Sequence, residues 1–332
     1  MRARLTTPIV IGLTAATSIA VALAARASDE TRAPRQSASI EQTSIASASI
    51  ASTSSASEPV DGRSDRSIPP AQSPSFAPCP ASLPDGMACI PGGSFTRGAN
   101  DDEASARPAE SITISTFLLD TREVTNAQWS ECVRARECRR LVPFRGYGAP
   151  EQPAVGMRWD EAAAFCARRG ARLPTEAEWE RAASGPEDTR YPWGNDTPSE
   201  PCARAVVRIH GGGEARGRGC GTGTTLPVAS RPAGAWGLYD MSGNVWEWTQ
   251  DVYTECYRGC ARECGDLCAG TDPRGPCGGA AECPGSRGLR VVRGGSWWHH
   301  IDRAEVHDRR GVPAANPNPH RFGFRCARDV PR

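Results

Sequence analysis

No lysine occurs anywhere in the 332 residues; all 39 basic residues are arginine. A lysine nucleophile or Schiff base is therefore excluded. Net charge is nearly absent too, at +1, so no nucleic-acid partner is expected. No Gly-x-Gly-x-x-Gly precedes a helix, and no strand–helix alternation is visible, which disfavours a nucleotide-binding fold. No supersecondary unit repeats in tandem. Aromatic residues are scarce at 6%, yet nine of them are tryptophan, and apolar residues reach 39%. That composition supports a packed core.

The N-terminus reads as an export signal. Arg2 and Arg4 form a basic start, Leu5 to Ala25 carry no charge, and Ala25-Arg26-Ala27 offers a small-x-small cleavage site. Residues 1–27 are read as a signal peptide, which places the protein in the periplasm or outside the cell. The alternative is an uncleaved anchor, the only route to a membrane contact. The run contains no cysteine, so a lipid anchor is not indicated. Residues 28–77 form a Ser/Ala/Thr/Pro/Gln tract that cannot bury enough apolar surface to offset its chain entropy, and are read as a disordered tether. Fourteen cysteines, an even number in an exported chain, point to disulfides rather than zinc.

Order is expected from about Cys79, in a domain spanning 78–330. Ile112, Ile114 and Leu118 mostly alternate with polar neighbours, as in one half-buried strand. Thr125 and Gln128 form a capping box that opens a helix to about Arg136. A second helix is expected over Trp159–Arg169, with Ala162, Phe165 and Cys166 on one face and Gly170 as its stop. Thr175 and Glu178 cap a third, ending at Gly185. Its acids Glu176, Glu178 and Glu180 are read as helix-start residues, not as a catalytic acid–base set. Short strands are expected at Val245–Thr249, Leu289–Arg293 and Gly323–Ala327. The sum is a mixed α+β domain rich in loops.

Six segments in order then carry a resemblance. They are Ile90-Pro91-Gly92-Gly93-Ser94-Phe95, Glu123-Val124-Thr125-Asn126, and Arg172 through Glu180 (RLPTEAEWE). The others are Gly237 through Trp248 (GLYDMSGNVWEW), Arg293-Gly294-Gly295-Ser296-Trp297, and Gly323-Phe324-Arg325-Cys326. Together they resemble the formylglycine-generating-enzyme, or sulfatase-modifying factor, family. The resemblance implies a variant of the C-type-lectin-like fold with little regular structure and heavily braced loops. It also implies a Cys166–Cys326 disulfide, and the absence of a second family bridge, whose position holds Ala183. Nearness in sequence pairs Cys79 with Cys89, Cys132 with Cys138 and Cys202 with Cys220. Six cysteines remain in an insertion at 253–286, read as three disulfides, with a four-thiolate zinc site as the alternative.

Oxidase members of that family hold copper(I) with two cysteines after the Gly-Gly-Ser motif, because a soft monovalent ion is best gripped by thiolates. Here those positions are His299 and Ala304, and no cysteine lies between Cys283 and Cys326. Copper is not expected. Trp246, Ser296 and Trp297 match residues of the family pocket, and Arg321 replaces its asparagine. His299, His300 and His307, with Asp302 or Glu305, invite an iron or copper reading; a wet loop at the pocket mouth is preferred, and iron is not expected. Structural calcium is implied at Asp240, Gly243 and Val245, although Asp240 and Asn244 also suit turns. The preferred function is an exported binding or accessory module for a protein, peptide or glycan. The alternative is an oxygen-dependent metal oxidase, or a formylglycine-generating-type modifying enzyme acting on an exported protein.

Overall fold

A computed structural model describes residues 76–100, 106–210, 217–253, 268–275, 278, 288–315 and 319–331. The signal segment, all of the tether except Phe76 and Ala77, and most of the cysteine-rich insertion lie outside the described residues. Phe76 already packs against the fold: a Cβ on Gly92 would sit 2.6 Å from the Phe76 ring. Among the described residues no helix is long and apolar enough to cross a membrane.

Among the described residues, nine short strands and three α-helices form the fold. β1 (Met87–Ile90), β4 (Phe117–Asp120) and β9 (Ala327–Asp329) form one antiparallel sheet in the order β1-β4-β9. β2 (Gly93–Arg97) pairs with β3 (Glu110–Ile114). The third sheet runs β7-β6-β5-β8, from β5 (Trp246–Val252), β6 (Leu289–Arg293), β7 (Arg309–Pro313) and β8 (Phe322–Gly323), with β5 and β8 parallel. Two sequence expectations are corrected here. The single strand through Ile112 and Leu118 is two, because Ser115 and Thr116 turn the corner: Asp272 accepts from the Ser115 amide at 2.6 Å and Thr116 Oγ1 from Gly92 N at 3.0 Å. Likewise Gly323–Ala327 is not one strand. β8 joins one sheet and β9 another, and Phe324-Arg325-Cys326 bridge the gap inside the core, none more than 0% exposed.

The helices follow their caps. α1 (Asn126–Arg134) and α3 (Glu176–Ser184) start on the expected capping boxes, with Thr125 accepting from Gln128 N and Thr175 from Glu178 N. α2 (Trp159–Arg168) buries Ala162, Phe165 and Cys166, as its periodicity requires. α3 differs from an ordinary surface helix in being buried along its whole length. Its acids therefore need counterions. Glu176 accepts from Arg309 Nε at 2.6 Å and lies 3.2 Å from Arg293 Nε, while Glu180 pairs with Arg293 Nη2. These guanidiniums hold Glu176 below its usual value despite burial.

Four disulfides close loops among the described residues, joining Cys79–Cys89, Cys132–Cys138, Cys166–Cys326 and Cys202–Cys220. Ala183, at the position of the missing bridge, is 1% exposed and packs in the same core cluster as Trp179. Cys268, the one described cysteine of the insertion, is also disulfide-bonded.

Candidate functional site

The site begins with Gly294-Gly295-Ser296, which leaves β6 and folds back on itself. Both glycines have positive φ, and a Cβ on Gly295 would lie 2.3 Å from Arg303 O. Only glycine fits there, and the turn presses the backbone of the next loop against Ser296. Ser296 is buried, as are Trp246 and Trp297, while Trp298 and His299 are half-buried.

His299 is locked by three contacts. Trp246 Nε1 donates to its Nδ1 at 3.2 Å, Ser296 Oγ lies 2.9 Å from the same nitrogen, and the His299 amide donates to Ser296 O at 2.9 Å. An indole N–H only donates, so Nδ1 is the acceptor and the proton resides on Nε2. Burial first, then Arg310, Arg321 and Arg303, push the imidazole down to about 4. At neutral pH it is uncharged, and its basic nitrogen is already engaged.

Ala304 stands elsewhere in character. It ends a short 3₁₀ turn, Ile301–Ala304, is 0% exposed, and packs in a small apolar cluster with Ala205 and Val207. Ser242 Oγ donates to its carbonyl at 2.6 Å. A copper(I) bis-thiolate does not fit these residues: the two positions hold an imidazole and a methyl group, and all nine described cysteines are in disulfides. The histidines do not form an alternative. His300 faces His210, their ring centroids 3.8 Å apart, and His307 pairs with Glu305 at 3.0 Å. Among the described residues no group of three or more His, Cys, Asp or Glu side chains is placed to hold a metal.

Behind the pocket, Asp240, Gly243 and Val245 lead into β5. Gly243 has φ 86°, and a Cβ there would meet Val206 O at 2.6 Å. Asp240 Oδ2 accepts from Ala229 N at 2.6 Å, and Asn244 Nδ2 donates to Glu123 Oε2 at 3.0 Å. Glu123 Oε1 is buried with no hydrogen-bond partner. Burial, then Asp240 and Glu247, push Glu123 well above the usual carboxylate range. Asp240 is pushed up to about 6, chiefly by burial. Arg325, ion-paired with Glu247 at 2.6 Å, is the guanidinium that Glu123 and Asp240 share with it. Three acids sharing one guanidinium make an oxygen-rich setting of the kind a hard cation prefers, but among the described residues their side chains are not gathered as a ligand set.

A cluster of cations and rings lies over Trp298. The Arg218 guanidinium carbon is 3.2 Å and that of Arg321 is 4.4 Å from its ring centroid. Tyr147, Trp297 and His320 gather beside them, with Tyr147 5.7 Å from Trp297 and 6.0 Å from His320 between ring centroids. Trp297 Nε1 donates to His320 O at 3.1 Å. Arg321 was legible as a pocket residue; Arg218, Tyr147 and His320 come from distant segments. The one available signal was Arg216-Gly217-Arg218-Gly219, basic residues on glycine turns.

This arrangement of short sheets, buried tryptophans and cross-braced loops is a fold seen before. The structure of PvdO from Pseudomonas aeruginosa superposes with a TM-score of 0.57 at 24% identity, covering 74% of this chain and 94% of that one. The sulfatase-modifying factor enzyme 1-like domain matches residues 72–330, and the chain belongs to that family. A formylglycine-generating enzyme of Thermomonospora curvata is 30% identical over 307 residues, spanning 75% of this chain and 95% of that protein. The inactive C-alpha-formylglycine-generating enzyme 2 of Mus musculus is 28% identical, spanning 74% of this chain and 86% of that protein. The serine/threonine-protein kinase Pkn1 of Chlamydia trachomatis is 34% identical over 268 residues, covering 74% of this chain, which spans only 38% of that protein's length. The disulfides and these relatives are compatible with an oxidising compartment.

Proposed function

We propose that this is an exported binding or accessory module of the sulfatase-modifying factor family, without copper thiol-oxidase activity. One observation carries the reading. The place of the family's two thiolates is taken by a neutral, hydrogen-bonded His299 and a buried Ala304, and every described cysteine is in a disulfide. A soft metal has no pair of sulfur ligands there. The inactive mouse relative supports the reading by example. The partner is an exported protein, peptide or glycan held at the pocket mouth; the near-zero charge argues against nucleic acid. Calcium, held by Asp240 with the carbonyls of Gly243 and Val245, would supply positive charge to the acids behind β5 and brace the loop, with no part in chemistry.

The test is metal analysis and oxygen uptake on the mature protein, together with mass spectrometry of a cysteine-containing sulfatase peptide after incubation. The reading requires no stoichiometric copper or iron, no oxygen consumption and an unchanged cysteine. Conversion of that cysteine to the aldehyde would overturn it in favour of the modifying enzyme. Stoichiometric iron or copper with oxygen uptake would favour a metal-dependent oxidase.

A further inference from the structure

Four arginines, Arg208, Arg218, Arg310 and Arg321, gather about the pocket mouth, none of them ion-paired among the described residues. The Nε atoms of Arg218 and Arg321 are buried with no hydrogen-bond partner. Arg310 and Arg218 both depress Arg321, and Arg310 and Arg321 both depress His299, as like charges in close quarters do. A shallow cavity of about 390 Å³ lies among Arg208, Gly217, Arg218, Gly223, Trp297 and Trp298, with no carboxylate among the described residues of its lining.

The arginines are held in place. The loop carrying Arg218 is stapled by Cys202–Cys220 and tied to the pocket by the Gly219 amide, which donates to Trp297 O at 2.7 Å. The Arg208 amide donates to His299 O at 2.7 Å. Trp298 supports the guanidiniums of Arg218 and Arg321 against its ring. A guanidinium stacked on an indole keeps its in-plane N–H fork free for an oxyanion. Clustered guanidiniums without acidic partners repel one another, an anion that joins them relieves the repulsion, and arginine forks match carboxylate and sulfate geometry.

We propose that this face binds an acidic saccharide, its carboxylate or sulfate-ester groups held by Arg208, Arg218, Arg310 and Arg321. A peptide is the poorer match. The six residues lining the cavity lie on loops, and they offer guanidiniums and indoles instead of an apolar hole for a side chain. Spread cations beside indole rings suit a chain of pyranose rings, which present C–H faces to an aromatic surface and charged groups at their rims. The inference rests on the reading of the domain as a binding module and names the ligand class of its pocket mouth.

Calorimetric titration of the mature protein decides it, with three probes of matched charge: a galacturonate oligosaccharide, a heparin-derived oligosaccharide and a Glu-rich peptide. At least one saccharide binds, more weakly as salt rises, and the peptide does not. Whichever saccharide binds shows whether carboxylate or sulfate ester is the preferred group. Arg310→Gln, an exposed position, and Arg321→Gln each weaken binding about tenfold, while Arg134→Gln on the exposed face of α1 leaves it unchanged. Thermal melts of each variant establish that it is folded. Equal binding of the peptide, no binding of either saccharide, or unchanged affinity in a folded Arg310→Gln protein overturns the proposal. Oxygen uptake on the same preparation separates the two readings: saccharide binding with oxygen consumption defeats only the non-oxidase reading, and neither binding nor consumption defeats only the saccharide.

Discussion

Replacing Arg325 by glutamine should be among the most damaging single changes available near the site. Its Nε and Nη2 donate to the two oxygens of Glu247 at 2.7 and 2.6 Å, and Nη1 and Nη2 also reach the carbonyls of Asp120 at 3.2 Å and Tyr239 at 2.8 Å. Both partners of the pair are 0% exposed. Stranding one partner of a buried pair costs about 3–5 kcal/mol, and an orphaned buried carbonyl adds about 1 kcal/mol or more. The worked loss is about 5 kcal/mol at pH 7.5. Burial raises Asp240 and Glu123 above their unfolded values, so the folded state binds more protons than the unfolded one between the two values. The contribution of these groups is therefore most favourable below the unfolded value and is lost as pH rises through about 6 for Asp240. Removing the guanidinium they share accentuates that slope, so the deficit of the variant should shrink at pH 5.5. Urea unfolding at the two pH values measures both effects. The control is the double variant Arg325→Met with Glu247→Gln, which should recover much of the loss because no buried charge is left unpaired. A single-variant loss below about 1.5 kcal/mol, or a double-variant loss equal to the sum of both singles, would refute the reasoning.

Removing the Cys166–Cys326 bridge by a double alanine substitution opens a loop of sequence separation 160; the entropic account puts the loss at about 5 kcal/mol, read as a lower urea midpoint, and an unchanged midpoint contradicts it. By NMR, the His299 imidazole should stay neutral until pH falls to about 4. A group depressed on folding contributes stability that is present above its unfolded value near 6.5 and lost as pH falls toward 4; an NMR titration midpoint above 6 defeats the locked-pocket account. If calcium neutralises the acids behind β5, saturating it to about 100-fold over its dissociation constant should add about 2.7 kcal/mol, reversed by a chelator; identical melting with and without calcium rules the site out.

What the sequence made legible was local or carried by motif. The Thr125 and Thr175 caps fix where α1 and α3 begin because a cap and its N3 partner are three residues apart. The short-range disulfides follow from nearness, and Cys166–Cys326 from the family motifs. The strands were harder. β1, β2 and β7 carry four or five residues each, too few for periodicity to register, and their pairing is decided by partners far away in the chain. Glu178 does act at the helix start, in the capping box, but Glu176 and Glu180 are buried against Arg309 and Arg293, over 100 residues away. In the site, Trp246, Ser296, Trp297, His299 and Arg321 follow from the family motifs. Arg218 and Tyr147 do not, because the convergence of distant loops onto Trp298 and Trp297 leaves no trace in spacing.

The pairing of β4 with β9, with Cys326 N donating to Asp120 at 3.0 Å, makes completion of the core depend on the segment around Arg325. Until residues near Arg325 emerge from the ribosome, Glu247 has no counterion, Cys166 no bridging partner and β4 an open edge. The strand pairing, the bridge and the buried ion pair thus close together, so a chain lacking this segment loses all three at once.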